Sequence, residues 1–302
     1  MIIDGRQIAA ERAEKLKLEV AGLNHRPCLA VILVGNDKPS EIYVSMKAKK
    51  AEELGIGSEI IKLDRGCTDR ELILKIVDLN NDPGIDGILV QLPFPTDSAS
   101  EANEREILDA IDPKKDVDGL TSANLGLLFN AEPRFYPATV RAILLLLEKV
   151  LTLDFFGRHT SYRKIKYLLA GKHVTIVGRS QMVGKPLSAA LINFGATVTV
   201  CNARTLNLKM VTKPADILIT AVGAPNLITK DMVKSGAIVI DAGISQDALG
   251  KTVGDVDFPN VEKVAGAITP VPGGVGPVTN ICILENTIEA ATMFSSNMVG
   301  VI

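Results

Sequence analysis

Histidine and cysteine are scarce in this chain of 302 residues, with three of the first and four of the second. Cys28, Cys67, Cys201 and Cys282 form no C-x-x-C pair and show no metal-ligand spacing. A disulfide framework and a zinc site are therefore not expected, and a reducing cytoplasm is the expected compartment. His25, His159 and His173 are scattered, which gives metal chemistry little support. An excess of one charge is missing too: the formal net charge is −2, so neither nucleic acid nor an anionic membrane is expected as a partner. No apolar run approaches the length that spans a bilayer. The opening stretch MIIDGRQIAAERAEKLKLEV has no basic n-region and no long apolar core, so no secretory signal is expected. What is present is apolar: 47% of the residues are hydrophobic, enough for a sizeable core and two domains.

The apolar residues fall in a strand–helix rhythm. The pattern predicts a helix over Ile8–Val20, a strand over Leu29–Val34, and a helix over Ser40–Leu54 with Ser40 as N-cap and Gly55 as stop. It then predicts a strand over Ser58–Leu63, a helix over Asp69–Leu79, a strand over Gly87–Leu92 ended by Pro93-Phe94-Pro95, and a helix over Glu101–Ala110. Strands separated by helices of this length imply a parallel sheet with right-handed crossovers. Thr139–Leu151 reads as a strongly apolar connecting helix. The mixed, basic stretch Thr152–Lys172 reads as a solvated loop with a short helix. Further strands are expected at Val174–Val177, Thr197–Cys201, Asp216–Thr220, Ala237–Asp241 and Val264–Ile268. The loop Thr269–Pro277 then precedes a last helix, Thr279–Met293.

The organising stretch is His173–Gly195, HVTIVGRSQMVGKPLSAALINFG. A β-branched apolar run leads into a glycine turn, and a helical pattern follows that stops near Gly195. Strand, glycine turn and helix N-terminus together make a place for a pyrophosphate. The spacing is G-x-S-x-x-x-G, with Ser180 where a second glycine usually stands. By itself this is equally the turn of any α/β protein. The stretch Val198–Leu208, VTVCNARTLNL, lacks the acid that would bind a ribose 2′-hydroxyl. It carries Arg204 instead, and Arg179 sits in the turn. Two guanidinium groups without a carboxylate suit a 2′-phosphate, and so favour NADP.

The N-terminal half holds the candidate chemistry. Ser40, Tyr43 and Lys47 are spaced to share one helix face. A lysine beside a tyrosine at the mouth of a parallel sheet can move protons once burial lowers its pKa, although a lysine within KAKKAEE is as readily a solvated one. Gln91 closes a buried strand at the sheet edge where ligands bind, or merely caps it.

VGNDKPSEIYVSMKAKKAEELGI, GILVQLPFP, PKKDVDGL, GRSQMVGKP, ADILITAVGAP and TPVPGGVGPVT occur in this order. Together they closely resemble the bifunctional methylenetetrahydrofolate dehydrogenase/cyclohydrolase (FolD) family, over essentially the whole chain. The resemblance implies an α/β fold of two domains, an N-terminal catalytic domain and a Rossmann-type NADP-binding domain, with the C-terminal helix returning to the first. The expected division is 1–138 plus 280–302, and 139–279. The implied reactions are oxidation of 5,10-methylenetetrahydrofolate with NADP and hydrolysis of the methenyl product to 10-formyltetrahydrofolate. By resemblance Tyr43 and Lys47 are the catalytic pair and Gln91 holds Lys47. Tyr43 also stacks on the folate and Asp118 accepts from its pterin. Pro272, Gly273 and Gly274 line the folate side, and Gly178, Arg179, Ser180 and Ile244 contact the nucleotide. A cytoplasmic homodimer is implied.

Three departures stand out. Pro137-Ala138-Thr139-Val140 replaces the family's P-C-T-P. Asn202-Ala203-Arg204-Thr205 replaces a run with a serine, which removes one 2′-phosphate contact. Thr152–Lys172 is longer than the usual connection. Two rival readings are a monofunctional dehydrogenase and a Rossmann oxidoreductase of a keto or hydroxy acid. The intact Tyr43, Lys47 and Gln91 weigh against the first; the second lacks a suitably placed His or Lys in the nucleotide half. A third rival, a nucleotide-binding module without activity, would go with a degraded Y-V-x-x-K or D-V-D-G, and both are intact.

Overall fold

The computed structural model describes residues 1–92, 101–152, 162–247 and 249–298. Its contacts divide the chain into two compact units. One runs from Glu11 to Ala138 and takes in the chain from Asn280 on; the other joins Met1–Ala10 to Thr139–Thr279. The first ten residues thus group with the second unit, not with the folate half of the expected division. The cause is local hydrogen bonding: Ile3 N–H donates to Ile268 C=O at 2.8 Å, and Ile268 N–H to Met1 C=O at 3.0 Å.

In chain order the first half comprises α1 (Gly5–Ala21), β1 (Cys28–Val34), α2 (Lys38–Glu53), β2 (Gly57–Leu63), α3 (Asp69–Asn81), β3 (Gly87–Val90), α4 (Glu101–Asp109) and α5 (Ser122–Phe129). The strands form one parallel sheet in the order β2-β1-β3. β1 is its middle strand, and Leu29–Val34 is buried without alternation because both faces of a parallel sheet are covered. Ile32, Leu72, Ile76, Ile88 and Ile107 share the core between sheet and helices. Two expectations need correction. Asp37, not Ser40, caps α2, accepting from the Ser40 N–H at 3.0 Å and its hydroxyl at 2.8 Å. The carboxylate one turn back simply outcompetes the hydroxyl as acceptor. β3 ends at Val90, although Gln91 N–H still donates to Ile32 C=O at 2.9 Å. Pro93-Phe94-Pro95 lies outside the described residues.

The second half comprises α6 (Ala138–Thr152), α7 (Tyr162–Leu169), β4 (His173–Val177), α8 (Gly184–Asn193), β5 (Thr197–Cys201), α9 (Leu208–Thr212), β6 (Ile217–Thr220), β7 (Ile238–Asp241), a hairpin of β8 (Ser245–Gln246) and β9 (Thr252–Val253), α10 (Phe258–Val261), β10 (Ala267–Ile268) and α11 (Val275–Met298). Its main sheet is parallel, in the order β10-β7-β6-β4-β5. The chain goes from β4 to one side through α8, then returns to the other side at β6. Such a reversal opens a crevice at the C-terminal strand ends, where ligands bind. Gly195 is the helix stop expected after α8, with φ of 79°.

β10 is shorter than Val264–Ile268, because Val264 N–H is spent on Val261 C=O at 3.0 Å. α11 starts at Val275 instead of Thr279, and Pro277 falls in its first turn, where its missing N–H is no loss. Of Thr152–Lys172, the residues 153–161 lie outside those described.

Candidate active site

The lysine centre is built within the first unit. α2 carries Lys47, and the residue after β3 is Gln91. Lys47 Nζ donates to Gln91 Oε1 at 2.8 Å, and Gln91 Nε2 donates to Leu92 C=O at 2.8 Å. The amide can therefore turn only its oxygen to the amine. Burial of the ammonium lowers the Lys47 pKa, and the negative charge of Asp118 pulls the other way. Asp118 is pushed up to about 6 by burial; Lys47 opposes the rise and the Asp116 charge adds to it. Lys47 and Asp118 thus act on each other electrostatically, while the neutral Gln91 holds the lysine. Tyr43 lies one turn before Lys47 on α2 and is 40% exposed. Ser40 is buried and its hydroxyl is committed to Asp37, so it is a structural member of that face.

The loop that carries Asp118 is held by residues that sequence reading missed. Buried Asp116 accepts from Leu120 N–H at 3.1 Å, Thr121 N–H at 2.8 Å and Asn124 Nδ2 at 2.8 Å. Asn124, in α5, accepts in turn from Arg134 at 2.9 Å. From α11, Asn286 Nδ2 donates to Val117 C=O at 2.8 Å and Tyr136 C=O at 3.1 Å. Gly119 has φ of 69°, and a Cβ there would lie 2.9 Å from Pro137 N, so this turn needs glycine. Ala138 N–H donates to Asp118 C=O at 3.3 Å, a backbone contact indifferent to the cysteine-to-alanine departure. The first Asp of D-V-D-G followed by Thr121 as N-cap was the available signal for this support.

The other candidate residues belong to the second unit. Gly178 follows β4 with φ of 131°, and a Cβ there would lie 2.5 Å from Ala221 C=O. A Cβ on Gly184 would lie 2.2 Å from Gly178 C=O. The turn is thus closed on itself and against β6, at the point where the strand order reverses. Ser180 Oγ accepts from Val183 N–H at 3.1 Å and from Gly184 N–H at 3.5 Å, so the serine braces the turn that leads into α8. Arg179 is exposed. Exposed Arg204 follows β5 in a turn where Asn202 Oδ1 accepts from Arg204 N–H at 2.9 Å and Thr205 Oγ1 from Asn202 N–H at 2.9 Å. Ile244 follows β7 and is 54% exposed. This constellation fits a dinucleotide: a glycine cradle that any Cβ would fill, a helix N-terminus behind it, and two arginines with no intervening acid.

Pro272, Gly273 and Gly274 also fall in this unit. A Cβ on Gly273 would meet Arg6 Nε at 3.2 Å, and one on Gly5 would lie 1.8 Å from Gly274 C=O. The loop is therefore packed directly on the start of α1.

One unit with a lysine held by an amide and another with a glycine turn at a switch point define a nucleotide-dependent α/β enzyme. The chain belongs to the tetrahydrofolate dehydrogenase/cyclohydrolase family: the family's catalytic domain matches residues 3–118, and its NAD(P)-binding domain matches residues 157–295. It is similar to the bifunctional protein FolD of Dechloromonas aromatica, at 47% identity over 96% of each chain. Among solved structures it is similar to the bifunctional FolD dehydrogenase/cyclohydrolase of Campylobacter jejuni, at 41% identity and a TM-score of 0.88, covering 97% of this chain and 99% of that one. It is also similar to the Trypanosoma brucei dehydrogenase-cyclohydrolase complexed with NADP cofactor and inhibitor, at 32% identity and a TM-score of 0.86, covering 98% of each.

Proposed function

We propose that the protein oxidises 5,10-methylenetetrahydrofolate to the 5,10-methenyl form with NADP, and hydrolyses that product to 10-formyltetrahydrofolate. Family membership supports the pair of reactions. The observation that carries the hydrolytic half is the half-buried Lys47 amine, donating to Gln91 at 2.8 Å and drawn by the charge of Asp118.

Bound NADP supplies the hydride acceptor. The residues of the chain do the rest. Asp118 accepts from donor groups of the pterin and sets the register of the folate. Tyr43, exposed on α2, stacks on the folate. Pro272, Gly273 and Gly274 line the folate-facing loop. When water adds to the methenyl carbon, Lys47 takes up its proton, and returns one to the ring nitrogen as the carbon–nitrogen bond breaks. Lowering the lysine pKa by burial raises the share of neutral amine, the form this role uses. Gln91 only orients Lys47. The turn of Gly178 and Ser180 receives the pyrophosphate, Arg179 and Arg204 the 2′-phosphate, and Ile244 packs on the nucleotide. The cytoplasmic homodimer implied by the resemblance belongs to the same reading, and light scattering tests its dimeric part.

The deciding experiment supplies methylenetetrahydrofolate with NADP or NAD and follows methenyl formation and decay separately. Formation with NADP followed by decay supports both halves. Formation without enzyme-dependent decay would leave a dehydrogenase alone.

A further inference from the structure

Two buried acids with no assigned role lie near the C-terminal ends of β6 and β7. Asp241 closes β7 and is 3% exposed; Asp255 follows β9 and is fully buried at 0%. Among the described residues neither pairs with a lysine, arginine or histidine. Their partners are backbone N–H groups and one hydroxyl. Asp255 accepts from the Thr220 hydroxyl at 2.7 Å, Val222 N–H at 2.7 Å and Ala224 N–H at 2.8 Å. Asp241 accepts from Gly243 N–H at 2.9 Å, Val256 N–H at 2.9 Å and the Asp255 N–H itself at 3.2 Å. Two glycines make room: a Cβ on Gly243 would lie 2.2 Å from the Asp255 carboxyl carbon, and one on Gly254 would lie 2.0 Å from Asp241 Oδ2.

This is an expensive way to fill a core. Burial pushes Asp241 up to about 6, with the Asp255 charge adding to the rise and the Val256, Asp255 and Gly243 N–H groups opposing it. Apolar residues of similar volume would commonly be neutral or stabilising in place of buried charges. What the acids do instead is fix two loops at the C-terminal strand edge, 221–224 after β6 and 242–244 after β7. The first loop sits beside the glycine turn, since Ala221 C=O is the atom that a Gly178 side chain would strike, and the second adjoins the first, where a Cβ on Gly223 would lie 3.8 Å from Ile244 C=O. They also expose Val222 and Ile244, at 46% and 54%.

The consequence is a division of polarity. The N–H groups of Val222, Ala224 and Gly243 are turned inward to carboxylates, so they cannot donate to an anion. The loops offer exposed apolar side chains instead, which suits the flat face of the phosphate-free nicotinamide ring. The turn from Gly178 to Gly184, with α8 behind it, suits the phosphates.

We propose that Asp255, with Asp241 behind it, is a positioning residue of the nucleotide site: it presets the loops on which the nicotinamide half rests, and touches no atom of cofactor or folate. The inference rests on the dinucleotide reading above. Hydrolysis of methenyltetrahydrofolate needs no nucleotide, so the protein contains its own control.

The test uses the full chain with Asp255→Asn, which has one acceptor oxygen where the carboxylate has two. NADP affinity is read by calorimetry, hydrolysis without NADP by absorbance, and integrity by melting of the nucleotide-free protein. The expected result is an NADP Kd and KM raised about tenfold or more, as for a charge-assisted hydrogen bond lost. Hydrolysis without NADP stays within about twofold, since Lys47, Gln91 and Asp118 belong to the other unit. Should Asp255→Asn fail to fold, Thr220→Val keeps the carboxylate while removing one donor, and should raise the NADP Kd by about two- to tenfold. Unchanged NADP binding in the folded variants overturns the proposal. So does an equal fall in hydrolysis and NADP binding, which marks a merely structural role. Failure of the wild type to bind NADP refutes the dinucleotide reading first, and is seen before any variant is made.

Discussion

Lys47 Nζ and Gln91 Oε1 meet at 2.8 Å, and the other end of the Gln91 amide is tied down on the Leu92 carbonyl at 2.8 Å. The lysine is thus held by a neutral acceptor whose orientation is fixed. A neutral partner restrains the amine without raising its pKa as a carboxylate would.

Lys47→Met keeps the length and the apolar stem but removes the amine. We expect hydrolysis to fall by about 10²–10⁴-fold, the range of a general base, while NADP-dependent oxidation is at least partly spared. Methenyltetrahydrofolate should accumulate in a progress curve. Unchanged hydrolysis would mean that Lys47 is only a solvated helix lysine. Gln91→Glu should raise the Lys47 pKa, so hydrolysis should weaken near pH 7 and its pH profile shift to alkaline values.

What the sequence made legible was whatever rests on local pattern. β1 is an unbroken apolar run, β4 is β-branched over Val174–Val177, and Thr197–Cys201 matches its strand to the residue. Lys47 and Gln91 meet at 2.8 Å, one inside a helix and one just past a strand whose types could be read; that Asp118 shares their surroundings was not read. The failures are long-range or competitive. Ser40 lost the cap to Asp37, whose carboxylate is the stronger acceptor. α5 was not read, because LGLLF within it mixes a glycine with apolar residues on all sides and shows no single face. Asp116, Asn124 and Asn286 support the Asp118 loop through contacts that no spacing announces.

Asp118 carries a pH signature. Its carboxyl sits at about 6 in the folded protein, above the unbound value of about 3.9. Only the ionised form accepts from two pterin donors. The kcat/KM for the folate should therefore fall as the pH drops below about 6, by about tenfold per unit well below it. Asp118→Asn should be flat in this range and low throughout, with both activities reduced together. Loss of only one activity would assign Asp118 to a single step. The same shift bears on stability. The native state holds this proton more tightly than the unfolded chain, so the contribution of the group falls as the pH rises from about 4 to about 6, and stays low above. The melting temperature of Asp118→Asn relative to wild type should accordingly increase between pH 4 and pH 7.

Two glycine replacements should separate the cradle from ordinary helix glycine. Gly184→Ala places a Cβ 2.2 Å from Gly178 C=O, a backbone atom that cannot step aside. The turn must open, and NADP affinity should fall about tenfold or more while NADP-free hydrolysis persists. Gly126, exposed in α5, would bring its Cβ within 4 Å of nothing. Gly126→Ala should raise stability by about 0.5–1 kcal/mol in a denaturant titration, through helix propensity alone. Equal NADP binding by wild type and Gly184→Ala would show that the close approach in this turn is irrelevant to the cofactor.

Cofactor choice rests on Arg179 and Arg204, the exposed cations of the turn after β4 and the turn after β5. Charge-assisted hydrogen bonds of guanidinium to phosphate are each worth about 1.5–3 kcal/mol. Arg179→Ala should therefore weaken NADP by about 10- to 150-fold and NAD far less, measured as Kd for each. High salt should narrow the wild-type preference, since exposed charges are screened. The converse change is available at Asn202, whose Oδ1 accepts from Arg204 N–H at 2.9 Å. Asn202→Asp preserves that acceptor and so keeps the turn. It also adds, just past β5, the acid that binds a ribose 2′-hydroxyl and repels a 2′-phosphate. Its preference should move towards NAD, and Asn202→Asp combined with Arg179→Ala should move it further. If Arg179→Ala lowers both affinities equally, the guanidinium holds the shared pyrophosphate, and the 2′-phosphate contact must be sought at Arg204 alone.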